Sequence, residues 1–379
     1  MRIAINTLGP SKIKAGIGNY VVNLVKELSK IDNKNEYTIF ANKDNAEYFT
    51  TNNPNFKTIT LPNYTRTRFI RILWEQCRLP KLLKQMNIDI LHSPGFIAPL
   101  KMTAKSIVTI HDMTFFSHPQ YHTRFKQYYF KKMIPLTVKK ANIIIADSEN
   151  TKKDIHKYLN TEKSKIITIH LGASEDFKKI DRNKAKKFIS KKYSIKNKFI
   201  LFVGMIEPRK NLQRLVDAFI QIKNPELKIV IVGKKGWQME EFFKMIKDSK
   251  LEDTIIFPGY VPDEDLVKFY NAAEIFVYPS IYEGFGIPVL EALACGCPVI
   301  TSNTSSMPEI TGPAAKLIDP NDTDDIKKTI QKLLRNEQLR QTLGEEGIIQ
   351  AKKFSWQKTA QKTLEAYEKT HNLKIDKIN

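Results

Sequence analysis

At 379 residues, with 42% hydrophobic and 27% charged side chains, the chain exceeds one average domain and holds enough apolar residues for two cores. Its net charge of +21 is uneven, with 29 basic against 14 acidic residues in positions 1–180 and 32 against 26 in the remainder; such a field attracts polyanions, anionic membranes or phosphorylated small molecules. Three scattered cysteines exclude a disulfide framework, Cys295 and Cys297 have no nearby Cys or His to complete a metal site, and no window approaches roughly eighteen uninterrupted apolar residues.

The N-terminus "MRIAINTLGP" runs straight into a strand, without the basic–apolar–small pattern of a secretory signal, so the expected compartment is the cytoplasm. "RIAIN" is followed by "GIGNYVVNLVKELSK", where Val21, Leu24, Val25 and Leu28 share a helical face. "IDILHS", "SIVTIHD" and "NIIIADS" are compact apolar runs ending in polar residues, as buried parallel strands do. The lysine-rich stretch "LGASEDFKKIDRNKAKKFISKKYSIKNK" then reads as a linker plus a charged helix, with a domain boundary near residue 175. A second series follows: strand "KFILFVG", helix "NLQRLVDAFIQI", strands "KIVIVG" and "TIIFPG", helix "DEDLVKFYNAA", strand "EIFVYPS", and, past a further helix, strand "PVITS". The tail from Trp356 is an amphipathic helix. This alternation predicts an α/β protein of two Rossmann-like domains facing each other across a cleft, residues 1–175 and 176–355.

In open α/β sheets, ligands bind beyond the carboxyl ends of the strands. After the first strand, Gly16 and Gly18 allow a ligand close to the backbone at a helix start, although G-x-G alone is equally a plain turn. His111, followed by Asp112 at the end of "SIVTI", is placed to orient a sugar hydroxyl or phosphate, or else is a capped loop histidine; His92 has a weaker claim. Glu207, Pro208, Arg209 and Lys210 lie between a strand and a helix. Two cations flanking a helix start are mildly unfavourable unless an anion offsets them, which suggests a bound diphosphate; solvent-exposed basic residues are the alternative.

The stretch "IYEGFGIPVLEALACG" carries the most specific pattern. Glu283 falls in a loop, Gly284 and Gly286 leave bare backbone on either side of Phe285, and a helix begins near Ile287 with Pro288 in its first turn. Glu291 sits about a turn in, and the helix stops at Cys295-Gly296. Two carboxylates around a phosphate-binding helix end suit a nucleotide sugar, one for the donor sugar and one for the ribose.

These residues resemble glycosyltransferase family 4, the retaining enzymes of GT-B architecture. The match rests on Glu283…Glu291 within "EGFGIPVLEALACGCPVI", on "VGMIEPRKNLQRLVDAF", "FPGYVPDEDL" and "FSW"; "GIGNY", "LHSPGFIAPL", "TIHDMTFFSHPQYH" and "IIADSENTKKDI" look like the branch of bacterial O-antigen mannosyltransferases. The resemblance covers nearly the whole chain. It implies that Glu283 contacts the transferred sugar, with the Phe285 and Gly286 backbone beside it, and that Glu291 holds the ribose. Arg209 and Lys210 would neutralise the diphosphate, His111 would sit by the donor sugar, and Gly16 and Gly18 would line the phosphate side. Gly259, Tyr260 and Val261 would face the nucleobase, and the helix 356–379 would cross back to the first domain. Met205 stands where many relatives have an arginine, which shifts phosphate contacts onto Arg209.

The implied reaction transfers a hexosyl group, mannosyl from GDP-mannose by branch resemblance, to a glycan or polyprenyl-diphosphate-linked acceptor in cell-surface polysaccharide synthesis. No cofactor or metal is expected, since no Asp-x-Asp stands at a strand end. A UDP-sugar-dependent glucosyl or N-acetylglucosaminyl transferase, a non-catalytic nucleotide-sugar-binding protein and a sugar-nucleotide epimerase are the alternatives. Nucleic acid is not an expected partner, because no helix-turn-helix, zinc or RNA-recognition signature accompanies the charge. The stretch "TRTRFIRILWEQCRLPKLLKQM", residues 65–86, reads as a basic amphipathic helix that either lies on the inner face of an anionic membrane or turns its apolar side to the core; "HTRFKQYYFKKMIPL" repeats the blend.

Overall fold

The computed structural model describes residues 1–9 and 16–373, without the side chains of Asn63 and Arg66. Two compact units form: Met1–Leu171 together with the segment from Trp356, and Gly172–Ser355. The division falls a few residues before position 175. Lys14 and Ala15, ahead of Gly16, and the tail beyond residue 373 lie outside the described residues.

The first unit is built on β1 (Arg2–Asn6), β2 (Glu36–Asn42), β3 (Phe56–Leu61), β4 (Ile90–Ser93), β5 (Lys105–Ile110), β6 (Ile143–Ala146) and β7 (Ile166–Thr168), in the order β3-β2-β1-β4-β5-β6-β7. The second holds β8 (Lys198–Val203), β9 (Leu227–Val232), β10 (Ile255–Gly259), β11 (Ile275–Tyr278), β12 (Val299–Ser302) and β13 (Ala315–Ile318), in the order β10-β9-β8-β11-β12-β13. Every pairing is parallel. Helices cover both faces of such sheets, which is why Phe199–Val203 in β8 are buried without alternation. The expected strands omit β2, β3, β7 and β13, whose runs are short or broken by polar residues such as those of "FKTITL".

Each sheet reverses its direction of growth once, between β1 and β4 and between β8 and β11. At such switch points the connecting helices leave in opposite directions and open a crevice beyond the strand ends. The loops that follow β8 and β11 carry Arg209, Lys210 and Glu283.

The helix Trp356–Asn372 packs within the first unit, against the helix Ile17–Ile31 and beside β4 and β5. The Tyr367 hydroxyl lies 2.7 Å from His92 Nδ1, and His92 Nε2 lies 2.8 Å from Thr109 Oγ1. Burial holds the His92 pKa down at about 3, with His111 adding to the fall, so this histidine is a neutral core link. Lys105 Nζ donates to the carbonyls of His371 and Leu373, each at 2.6 Å, and closes the helix end. The charged helix Arg182–Tyr193 belongs to the second unit, where Tyr193 stacks edge-on against Phe269 and its hydroxyl donates to Asp265 at 2.7 Å.

The segment 65–86 is not one helix. It forms the helices Arg68–Cys77 and Leu79–Gln85, broken at Arg78 because Pro80 removes a backbone donor and is tolerated only in a first turn.

Candidate functional site

In the second unit the helix Ile287–Ala294 begins after Gly286, whose φ of +99° is left-handed, and carries Pro288 in its first turn. A Cβ at Gly286 would stand 2.4 Å from the Met307 methyl, the movable end of a flexible side chain, so it is the backbone angle that favours glycine here. Ser306 Oγ donates to the carbonyls of Glu283 and Phe285 at 3.0 Å each, and the Glu283 N–H donates to Ser305 Oγ at 3.1 Å. The loop Glu283–Gly286 is therefore pinned from the chain following β12.

Glu283 is buried, and both its oxygens meet cations. Lys210 Nζ donates to Oε1 at 2.5 Å, and Arg209 Nη1 lies 2.9 Å from Oε2. Lys210 also donates to the Tyr278 hydroxyl at 2.6 Å; Arg209 donates to the Tyr282 carbonyl at 2.6 Å and to Glu207 at 2.7 Å. Burial alone would raise the Glu283 pKa, but the Arg209 and Lys210 charges outweigh it and hold the carboxyl at about 2. Burial and Arg209 pull the Lys210 ammonium down, opposed by Glu283 and Glu207. The group stays a carboxylate between two cations.

This corrects the electrostatic argument made from sequence. Pro208–Lys210 form a tight turn, and Asn211 at φ +59° leads from it into the helix Leu212–Ile220, so the two cations do stand just before a helix start. Their charge is offset inside the protein by Glu283 and Glu207, and the local conflict needs no bound anion to resolve it. Glu207 and Tyr278 are parts of the cluster that sequence reasoning gave no role. The signal for Tyr278 was its place at the end of β11, the strand next to β8.

Glu291 also departs from expectation. It is buried, and its Oε2 accepts from the Tyr270 hydroxyl at 2.9 Å. Burial pushes its pKa up to about 8, against the Tyr270 hydrogen bond and with Asp263 adding to the rise. At neutral pH it is a carboxylic acid, able to give one hydrogen bond to a diol and accept another, rather than a carboxylate reaching outward. Its folded pKa lies above the unfolded value, so the folded chain holds the extra proton between about pH 4.5 and 8 and loses stability as pH rises through that window. Glu291→Gln is expected to be more stable than wild type by about 1–3 kcal/mol near pH 9 and indistinguishable near pH 5. Thermal melts across pH check this; a variant less stable at both ends would mean the carboxyl is charged when folded.

Gly259 ends β10 at φ +77° and its carbonyl accepts from Gly233 N–H at 2.8 Å; Tyr260 is half exposed under the Lys234 ammonium, and Val261 is buried. The three stand at the end of the edge strand β10, two strands from β8. Met205 follows β8 and remains exposed.

In the first unit Gly16 precedes the helix Ile17–Ile31 with φ +51°, and Gly18 is buried in its first turn. His111 Nδ1 lies 2.6 Å from Asp147 Oδ2 and Nε2 lies 2.7 Å from the Pro94 carbonyl. Both partners are acceptors; burial lowers the His111 pKa, but Asp147 and the two hydrogen bonds outweigh it and hold the pKa above the ordinary imidazole value. These two contacts fix the orientation of the ring at the end of β5, the place from which His111 was expected to meet the donor sugar. Asp147, at the end of β6, was missed; the readable signal was its place at the end of the strand adjoining β5.

A family model described as "Glycosyl transferases group 1" matches residues 183–350, and one described as "Glycosyltransferase Family 4" matches residues 15–177. The chain is 35% identical over 292 residues to the O-antigen chain mannosyltransferase B of Escherichia coli, covering 76% of each chain. It is 27% identical over 347 residues to the O-antigen chain mannosyltransferase RfbU of Salmonella typhimurium, covering 89% of this chain and 90% of that one. Among solved structures, the sucrose-phosphate synthase of Thermosynechococcus elongatus superposes with a TM-score of 0.77 at 21% identity, over 97% of this chain and 98% of the other.

Proposed function

The chain belongs to glycosyltransferase family 4, with GT-B architecture, and on that premise we propose that it transfers a mannosyl group from GDP-mannose to a glycan or polyprenyl-diphosphate-linked acceptor in cell-surface polysaccharide synthesis. The reaction retains anomeric configuration and uses no metal. The observation that carries the reading is the Glu283–Lys210–Arg209 cluster after β8 and β11, beside the start of the helix Ile287–Ala294. Mannosyl rather than another hexosyl rests on similarity to the two mannosyltransferases.

As the sugar–phosphate bond breaks, negative charge grows on the diphosphate and positive charge on the anomeric carbon. Arg209 and Lys210 meet the first need, in the place a divalent ion would otherwise fill. Glu283, held charged, accepts hydroxyl hydrogens of the sugar through lone pairs its two cations leave open. Those same cations make it a poor nucleophile. The acceptor hydroxyl accordingly attacks the face the phosphate leaves and passes its proton to the departing oxygen. Gly284 to Pro288 supply bare backbone at the helix start, Glu291 meets the ribose diol, and Gly259 to Val261 meet the base.

The test is a transfer assay with GDP-, UDP- and ADP-sugars, each with and without a chelator. Transfer from GDP-mannose that the chelator leaves unchanged, giving an α-linked product, is the expected result. Preference for a UDP-sugar would replace the donor assignment, and activity lost to the chelator and restored by magnesium would overturn the metal-free mechanism.

A further inference from the structure

The helix Arg68–Cys77 buries none of its residues fully. It is tethered through one side: Trp74 packs against Phe40, Asn6 donates to Glu75 at 3.0 Å, and Gln76 bonds Ala98 and Leu100. Its other side leaves Phe69 63% and Leu73 64% exposed, with Ile70 exposed between them. The start of the helix Arg124–Lys140 adds Phe125, in edge contact with Phe69 at 5.8 Å, and Tyr128 at 69% exposure. Five large apolar side chains thus stand exposed on two helices joined by the Phe69–Phe125 contact.

The exposed charged residues of these two helices are all basic. The helix Arg124–Lys140 has six cations and no acid, with Arg124, Lys131 and Lys132 exposed. The helix Arg68–Cys77 opens with exposed Arg68, and its sole acid, Glu75, is turned inward onto Asn6 and Arg71. Aromatic and aliphatic tips among cations match the boundary between acyl chains and anionic headgroups. Among the described residues no helix is long and apolar enough to cross a membrane, so this face suits a surface.

We infer that Phe69, Ile70, Leu73, Phe125 and Tyr128, with Arg68, Arg124, Lys131 and Lys132 around them, dock the first unit on an anionic phospholipid surface. The inference does not rest on the transfer reaction, and vesicle flotation without any nucleotide tests it alone. The full chain is expected to float with vesicles of equal phosphatidylglycerol and phosphatidylcholine and to stay behind with phosphatidylcholine alone. Leu73→Asp with Phe125→Asp is expected to abolish flotation. Lys131→Glu with Lys132→Glu, which spares the apolar face, is expected to weaken it by at least about tenfold. All four positions are exposed, so unchanged melting curves verify folding, and transfer to a water-soluble acceptor is expected to persist. Flotation that ignores lipid charge, or that both variants retain, overturns the inference. So does self-association lost in Leu73→Asp without vesicle binding, which would assign the face to a second copy of the chain.

Discussion

Glu283→Ala is expected to remove sugar transfer and to destabilise the second unit by about 3–5 kcal/mol, because breaking a buried pair strands its partners. Lys210 is buried and keeps the Tyr278 hydroxyl and ring and the Glu207 charge once Glu283 is gone, while Arg209 keeps Glu207 and the Tyr282 carbonyl. The pH dependence has a definite sign. The Glu283 pKa is lowered to about 2, so its contribution is complete above about pH 4.5 and disappears as pH falls toward 2. Wild-type melts therefore approach those of the variant in acid. Chemical denaturation at neutral pH together with the transfer assay checks the claim, and a variant as stable as wild type would mean that the pair does not form.

Arg209→Ala and Lys210→Ala are each expected to cut turnover by about a hundredfold or more, corresponding to about 2–4 kcal/mol of lost transition-state stabilisation. Their stability losses should be smaller than that of Glu283→Ala, since either variant leaves Glu283 one cation. This separation distinguishes phosphate stabilisation from a purely structural network. A structural role predicts that activity tracks folding, whereas the proposed role predicts a folded protein with low turnover and modest change in nucleotide affinity. Near-normal turnover in both variants would remove the phosphate assignment.

Much of the scaffold was legible locally. The helix within "EGFGIPVLEALACG" spans Ile287–Ala294, with Pro288 in its first turn and Gly296 left-handed just past its end. Glycine and proline restrict their own backbone angles, so such boundaries need no distant partner to be read. Strands β4, β5, β6 and β8 to β12 were likewise marked by apolar runs. Strand β3 was not, because its threonines and lysine interrupt the apolar run and partial solvent contact dilutes the pattern.

The state of each functional side chain was decided elsewhere. Arg209 and Lys210 looked like cations awaiting an anion until folding brought Glu283, 73 positions from Lys210, within hydrogen-bond distance. Glu291 looked like a carboxylate for a ribose diol until a buried environment raised its pKa against the pull of the Tyr270 hydrogen bond. His111 stood at a strand end with no partner named until folding brought Asp147 and the Pro94 carbonyl within hydrogen-bond distance of its two ring nitrogens. Sequence by itself determined where the chain bends, where its strands end and which residues stand at those ends, because backbone geometry and apolar periodicity are local properties. Only the tertiary structure decided which of those residues carry a proton, which charges cancel and which apolar face stays uncovered, because desolvation and Coulomb interactions depend on neighbours that the chain supplies from far along its length.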